Sequence, residues 1–128
     1  MPNVLRFFHI FKWTNGFSET MKDEAYELHA QVCRSLSSPV RLKVLDLLRN
    51  GEKSVKDLVA LTHVSQPNLS IHLKFLWETG VLERRQEGTT VYYHVAQPEI
   101  YEVIDIFRKI NTKKLNRQHR LTRKRTPR

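Results

Sequence analysis

Hydrophobic residues recur at helical spacing in five stretches of this chain, which cover residues 20–36, 38–50, 54–62, 66–79 and 97–110. Such stretches predict amphipathic helices, each with one apolar side that packs on a core. Two short runs, residues 81–85 and 91–95, are instead rich in β-branched and aromatic residues, and they flank a segment that contains Gly88. This arrangement is typical of a β-hairpin. The predicted fold is therefore mainly α with a small β-hairpin, in the order helix-helix-helix-helix-strand-strand-helix.

The third and fourth predicted helices form a close pair. Ser54, with Asp57 three residues later, has the spacing of a capping box that begins the third helix. A turn at residues 63–65 follows, and Ser65 is expected to cap the fourth helix through its side-chain oxygen. Pro67 is acceptable there because the amides of a first turn lack intrahelical partners. The apolar stripe of the fourth helix has the spacing i, i+4, i+7 and consists of Leu69, Leu73 and Leu76.

The other side of the fourth helix is polar. Short amide and hydroxyl side chains hydrogen-bond base edges in a major groove, and a lysine beside them suits a phosphate. A hairpin directly after such a helix is a wing, in which one of two neighbouring arginines is expected to hold a phosphate or enter the minor groove. The predicted DNA contacts are Ser65, Gln66, Pro67, Asn68, Ser70, His72, Lys74, Arg84, Arg85 and Thr89.

Four segments of the chain together resemble one family of DNA-binding proteins. Their sequences are LSSPVRLKVL at residues 36–45, SQPNLSIHLKFL at 65–76, GVL at 80–82 and GTTVYY at 88–93. In these segments the chain is similar to the ArsR/SmtB family of winged-helix repressors, over roughly residues 22–110, and several motifs in register are more specific than one. The resemblance implies a cytoplasmic homodimer that binds a short inverted repeat in double-stranded DNA. It also implies that a metal or an oxidant often releases the DNA.

Two apolar stripes exceed what a small domain needs for its own core, one on the first predicted helix and one on the last. Burial of such side chains contributes about 1.5–3 kcal/mol each, so the two stripes are expected to cover each other across a twofold axis. Two fourth helices then lie about 34 Å apart, which predicts a palindromic site. The predicted interface residues are Leu28, Val32, Ile100, Val103, Ile104, Phe107 and Ile110.

The metal sites of the family do not match this chain. Members that sense soft metals carry two cysteines at the start of the third helix, because soft metals prefer thiolates, and the matching positions here are Ser54 and Lys56. A second family site needs a histidine on the last helix, where this chain has Phe107. His29 and Cys33, four apart on one helix face, are weak candidates, and a buried core position is the preferred interpretation of Cys33. The sequence predicts no cofactor and identifies no effector.

Positive charge is concentrated at the C-terminal end. The net charge is +9, yet residues 1–107 hold 12 Lys and Arg against 13 Asp and Glu, whereas residues 108–128 hold 10 Lys and Arg and no acid. Residues 111–128 thus form a basic C-terminal tail after a winged-helix DNA-binding and dimerisation domain of residues 21–110. A disordered solubilising tail is one interpretation. The favoured one is a flexible arm that contacts phosphates and adds salt-sensitive affinity.

Residues 1–20 form an aromatic leader outside the resemblance. Three interpretations are open: an extra element packed on the dimer, a contact with a membrane surface or a partner, and an upstream start codon assigned in error, since Met21 suits a first residue. No stretch is long and apolar enough to cross a bilayer, and the lone Cys33 fits a reducing compartment. We therefore expect a cytoplasmic protein with no membrane partner.

The sequence contains no phosphate-binding glycine loop, no Cys-x-x-Cys pair and no carboxylate pair that a motif places near a histidine. An enzyme is therefore not expected. The predicted function is that of a sequence-specific transcriptional regulator, a repressor that binds a palindromic operator as a homodimer. The alternative is an architectural or RNA-associated protein whose basic tail dominates binding.

Overall fold

The structure, a computed structural model, describes residues 19–125 of the chain and the side chains of residues 22–125. Within this part lie five helices and three strands, in the predicted order except for one additional strand of two residues. The expected fold class, a mainly helical winged helix-turn-helix with a small antiparallel hairpin, is thus confirmed. The elements are α1 (Glu19–Ser35), α2 (Pro39–Leu47), β1 (Lys53–Ser54), α3 (Val55–Thr62), α4 (Gln66–Glu78), β2 (Leu82–Glu87), β3 (Thr90–Val95) and α5 (Ile100–Arg125).

Most of the aromatic leader, residues 1–18, lies outside the described residues, and so do its three interpretations. Its last two residues belong to α1, so the predicted boundary at residue 20 falls inside a helix. Among the helices described, none combines the length and the apolar character that crossing a membrane requires.

The three strands form one antiparallel sheet with β3 in the middle. β2 and β3 pair over all six residues of each strand, so only Gly88 and Thr89 remain in the loop. Gly88 has a φ of 60°, which glycine adopts without steric cost. The hairpin is therefore longer, and its loop shorter, than the predicted strands at residues 81–85 and 91–95 imply. The additional strand, β1, pairs with β3 through two residues only. A strand of two residues is too short to show an alternation of apolar and polar positions in the sequence.

Serine caps begin two of the helices. Ser38 Oγ accepts a hydrogen bond from the amide of Arg41 at 3.4 Å and begins α2. Ser54 Oγ accepts from the amide of Asp57 at 3.1 Å and begins α3, so this predicted cap is confirmed.

The predicted side-chain cap of α4 is wrong. Ser65 precedes the helix as expected, but its hydroxyl makes no cap hydrogen bond. A capping side chain accepts from the amide of the second or third helical residue, and Pro67 at the second position has no amide hydrogen to offer. Pro67 therefore removes one of the two amides that could serve as the donor to Ser65 Oγ.

The core lies where α2, α3, α4 and the wing meet. The leucine stripe predicted on α4 is buried, and Leu69, Leu73 and Leu76 are almost completely enclosed. Burial of each such side chain contributes about 1.5–3 kcal/mol, so the stripe fixes how α4 is rotated about its own axis. The other buried members of this cluster are Val44, Leu45, Leu48, Leu58, Val81, Leu82, Tyr93 and Ile104.

The predicted apolar stripe of the last helix divides between two surfaces of α5. Ile104 is buried in the core of its own chain, and Ile100 is half-buried against that core. These two predicted interface residues therefore stabilise the protomer itself. Val103, Phe107 and Ile110 point elsewhere and remain exposed.

α5 does not end near residue 110, as predicted, but continues as one helix to Arg125. Lys, Arg, Gln and Leu are good helix formers, and no Gly or Pro interrupts residues 111–125. This part of the basic tail is therefore helical and not the flexible arm of the sequence-based prediction. All of its residues are exposed.

Ion pairs hold α5 against the end of α2. Arg49 donates to the two carboxylate oxygens of Asp105 at 3.1 and 3.0 Å, and Arg108 donates to Asp46 at 2.6 Å. The hydrogen bond from Arg49 is the main reason why the pKa of Asp105 is lowered from its usual value. The carboxylate therefore stays ionised, and the pair stays intact, well below neutral pH.

Replacing Tyr101 with Phe should destabilise the fold. The Tyr101 hydroxyl donates to the carbonyl oxygen of Leu45 at 2.6 Å, and burial raises its pKa to about 12, so it remains a donor up to high pH. We expect Tyr101→Phe to lower the free energy of unfolding in urea by about 1 kcal/mol, the usual net value of one hydrogen bond. Tyr92→Phe is the matched control, because the Tyr92 hydroxyl makes no hydrogen bond within the described residues. Equal losses in the two variants would contradict this account.

Candidate nucleic-acid interface

The turn between α3 and α4 depends on one left-handed residue. His63 has a φ of 59°, which few residues other than glycine adopt, and its amide donates to the Val59 carbonyl at 3.1 Å. Thr62 Oγ1 accepts from the amide of Val64 at 3.3 Å and stabilises the same turn. These contacts define the angle between α3 and α4, the geometry of a helix-turn-helix.

The side of α4 that faces away from the core is exposed along its length. Successive residues of an α-helix are about 100° apart, so the direction opposite the leucine stripe passes through Pro67, Ile71 and Lys74. All three are exposed. Six of the predicted DNA contacts are exposed on α4 or on the residue before it, and two of them, Pro67 and Lys74, lie opposite the stripe. The six are Ser65, Gln66, Pro67, Asn68, Ser70 and Lys74.

Ile71 lies at the centre of this surface and is not among the predicted contacts. Its side chain is 68% exposed although it is wholly apolar. The sequence does contain the signal, because residue 71 lies two positions after Leu69 and two before Leu73. In a helix this places Ile71 on the side opposite both leucines.

His72 has different surroundings from the other predicted contacts. It is half-buried, and its Nδ1 lies 3.4 Å from Nη1 of Arg41. The same guanidinium donates to the carbonyls of Arg34 and Ser35 at the end of α1, at 2.6 and 3.0 Å, and lies 4.5 Å above the ring of Phe75. His72 therefore faces the junction of α1 and α2, where it contributes to packing.

Of the two wing arginines, Arg85 forms ion pairs with carboxylates of its own chain. It donates to Glu52 at 2.6 Å and to Glu87 at 2.7 Å, and it lies 4.6 Å from the centre of the Tyr92 ring. The hydrogen bond with Glu52 is the largest cause of a raised pKa at Arg85 and of a lowered pKa at Glu52. Because two carboxylates offset its charge, Arg85 is poorly suited to hold a phosphate.

Arg84 lies on the opposite face of the wing, because successive strand residues alternate. Its guanidinium carbon is 3.9 Å from the centre of the Trp77 ring at the end of α4. No carboxylate among residues 22–125 forms an ion pair with it. Arg84 is therefore the wing arginine whose charge is available beside α4. Thr89, also predicted to contact DNA, is exposed in the hairpin loop.

The weak metal candidates His29 and Cys33 are both exposed on α1. The interpretation of Cys33 as a core residue is thus wrong for the single chain, because among the described side chains of α1 the buried one is Ser35, at the C-terminal end of the helix. Across the part of the chain that the structure describes, no three His, Cys, Asp or Glu side chains lie close enough together to hold a metal ion.

Large apolar side chains are exposed on both α1 and α5, and these residues are called here the apolar surface of α1 and α5. Leu28 and Val32 are exposed on α1, and Val103, Phe107 and Ile110 are exposed on α5. Large exposed apolar side chains such as these indicate a candidate site of interaction. Five of the seven predicted interface residues therefore remain available to a partner.

Comparison with known proteins places these features in context. The family model described as bacterial regulatory protein, arsR family, matches residues 38–84. An uncharacterized HTH-type transcriptional regulator of Methanocaldococcus jannaschii is 32% identical over 84 residues, which are 65% of this chain and 94% of that protein. A probable mercury resistance operon repressor of Streptomyces lividans is 32% identical over 79 residues. The match covers 62% of this chain and 63%, just under two thirds, of that repressor.

The fold also resembles a solved structure. It is the solution NMR structure of a homodimeric winged helix-turn-helix DNA-binding domain from Mycobacterium bovis, described as a possible ArsR-family transcriptional regulator. The sequence identity between the two is 28%. The match covers 80% of this chain and 94% of that domain, with a TM-score of 0.69.

The different surroundings of the two wing arginines lead to different expectations for their replacement by alanine. Arg84→Ala should weaken binding to duplex DNA and lower the slope of log affinity against log salt by about 1 for each protomer, as expected for a guanidinium that contacts one phosphate. Arg85→Ala should leave that slope nearly unchanged, since Glu52 and Glu87 already offset the charge. Fluorescence anisotropy titrations at several salt concentrations measure both. A loss of slope in Arg85→Ala alone would contradict the assignment.

Proposed function

This chain belongs to the ArsR family of bacterial regulatory proteins, and we propose that it represses transcription by binding a palindromic operator as a homodimer. It is a winged helix-turn-helix DNA-binding regulator and not an enzyme. The observation that carries the proposal is the exposed surface of α4 opposite a fully buried leucine stripe. A major groove admits one helix, and this surface offers it amide, hydroxyl and ammonium groups.

In this proposal the polar residues of α4 divide into two roles. Gln66, Asn68 and Ser70 hydrogen-bond base edges, and Lys74 contacts a phosphate. Lys74 lies 3.7 Å from Glu78, and both side chains are mostly exposed, so their ion pair is weak and a phosphate can displace it. Arg84 and Thr89 of the wing add contacts to the sugar-phosphate backbone of the DNA.

The proposed dimer forms through the apolar surface of α1 and α5. Its exposed residues, among them Val32 and Phe107, need a cover that the rest of the described chain does not provide. A second copy of the same surface is the simplest cover, and the similar domain from Mycobacterium bovis is described as homodimeric. A twofold axis there presents two copies of α4 to two half-sites, about 34 Å apart.

Repression is supported by the relative from Streptomyces lividans, a probable mercury resistance operon repressor. The name of that relative mentions mercury, a soft metal that prefers several thiolates, whereas each protomer of this chain offers one cysteine. The single Cys33 fits a reducing compartment, and we propose that the protein acts in the cytoplasm.

One observation favours a second candidate, an architectural or RNA-associated protein that binds through its basic helix. The end of α5 is exposed and helical, and residues 111–125 carry cations but no acid. Such a segment binds polyanions without reading sequence. The cations are Lys113, Lys114, Arg117, Arg120, Arg123, Lys124 and Arg125.

Selection of bound duplexes from a random pool separates the two candidates. We expect the full-length protein to enrich a palindrome whose half-sites are centred about 10 base pairs apart. A variant with Arg117, Arg120 and Arg123 replaced by Gln should enrich the same palindrome, while its affinity for operator and scrambled duplex falls by one common factor. If neither protein enriches any sequence, the proposed repressor function is wrong and the second candidate is favoured.

A charge in the apolar surface should dissociate the dimer. Phe107→Glu removes an aromatic ring that the proposed dimer buries in each protomer and places a charge in the interface, so we expect the dissociation constant of the dimer to rise about 100-fold or more. Leu115→Glu is the matched control, because Leu115 is 53% exposed and Phe107 54%, but Leu115 lies on a different side of α5. Sedimentation velocity over a range of concentrations measures both. A dimer that tolerates Phe107→Glu would exclude this surface as the interface.

A further inference from the structure

The centre of the DNA-facing surface of α4 is occupied by a residue that cannot hydrogen-bond. Ile71 is 68% exposed, the highest value among the large apolar side chains of α3 and α4. The other exposed large apolar residues of these two helices, Leu61 and Trp77, are less exposed. Ile71 therefore presents most of its apolar side chain to whatever lies against α4.

We propose that Ile71 reads thymine by burying the C5-methyl group of that base in the major groove. The thymine methyl is the one apolar group that distinguishes base pairs on their major-groove edge. An isoleucine at the centre of the surface has no polar atom with which to recognise any other edge. This inference rests on the proposed function, because it requires α4 to lie in a major groove.

The neighbours of Ile71 suit such a contact. Pro67 lies one turn before it and Lys74 nearly one turn after it, and both are exposed on the same side of the helix. The leucine stripe fixes the rotation of α4, so the side chain cannot turn toward the core. Its Cβ branch leaves one strongly preferred rotamer in a helix, so little conformational freedom is lost on contact. Ile71 is therefore held ready for a base edge.

Deoxyuridine provides the test, because it lacks only the C5-methyl group of thymidine and keeps its hydrogen-bonding edge. The operator obtained by selection is synthesised with each symmetry-related pair of thymidines replaced in turn by deoxyuridine. For one pair, we expect the affinity of the full-length protein to fall about fourfold per half-site, or about 15-fold for the palindrome, as loss of one buried methyl group in each half-site predicts. The remaining pairs should change affinity by less than twofold.

Ile71→Ala identifies the residue that makes the contact. This variant should bind the thymidine operator less tightly than the unaltered protein and respond to the sensitive replacement by less than twofold. It should also fold, because the site is exposed and alanine has a higher helix propensity than isoleucine. Leu61→Ala is the control: it truncates another exposed apolar residue of the helix-turn-helix and should keep the full sensitivity to deoxyuridine.

The outcomes separate this inference from the function on which it rests. If the protein enriches a palindrome but no deoxyuridine replacement weakens binding, or if Ile71→Ala keeps the full sensitivity, the assignment of Ile71 is overturned and the repressor proposal stands. If no sequence is enriched at all, both are overturned.

Discussion

The burial of three leucines on α4 determines which residues of that helix can meet another molecule. Leu69, Leu73 and Leu76 lie on one side and enter a core built from α2, α3 and the wing. Turning α4 by half a rotation would expose all three and bury Lys74, at a cost of several kcal/mol for the leucines alone. The outward position of Ile71 and its polar neighbours therefore follows from packing on the opposite side.

Features set by neighbouring residues could be predicted from the sequence, and features set by distant ones could not. The Ser54 cap and the leucine stripe depend on spacings of three to seven residues, and both were predicted correctly. The binding of Arg85 by Glu52 joins residues 33 apart, which no local pattern reveals. The length of α5 was predicted only in part. Its apolar stripe ends at residue 110, and the prediction ended the helix there. The absence of Gly and Pro over residues 111–125 nevertheless permits the helix to continue.

The surface of α1 that is proposed to meet a partner is linked to α4 through polar contacts that are partly buried or exposed. Arg41 donates to the last carbonyls of α1 and lies on Phe75 of α4. Ser35, completely buried at the end of α1, has its hydroxyl 3.0 Å from that of Thr79 at the end of α4. Each such hydrogen bond contributes about 1 kcal/mol, so together these contacts favour one arrangement of α1 relative to α4. These contacts at Phe75 and Thr79 thus constrain where the C-terminal part of α4 lies relative to the proposed twofold axis.

Cations and apolar groups contribute differently to binding because salt acts on them differently. Many arginines of the domain, such as Arg41, Arg49 and Arg85, are engaged within the protein, so the net charge overstates what is available to DNA. The cations of the last part of α5 are exposed, and the affinity that they contribute falls steeply as salt rises. An apolar contact between Ile71 and a base releases no counterions. Discrimination between sequences by that contact should therefore persist at salt concentrations that weaken the affinity for all DNA. Because the proposed dimer repeats each base contact in the second half-site, even a contact of modest strength has twice its effect on the choice of operator.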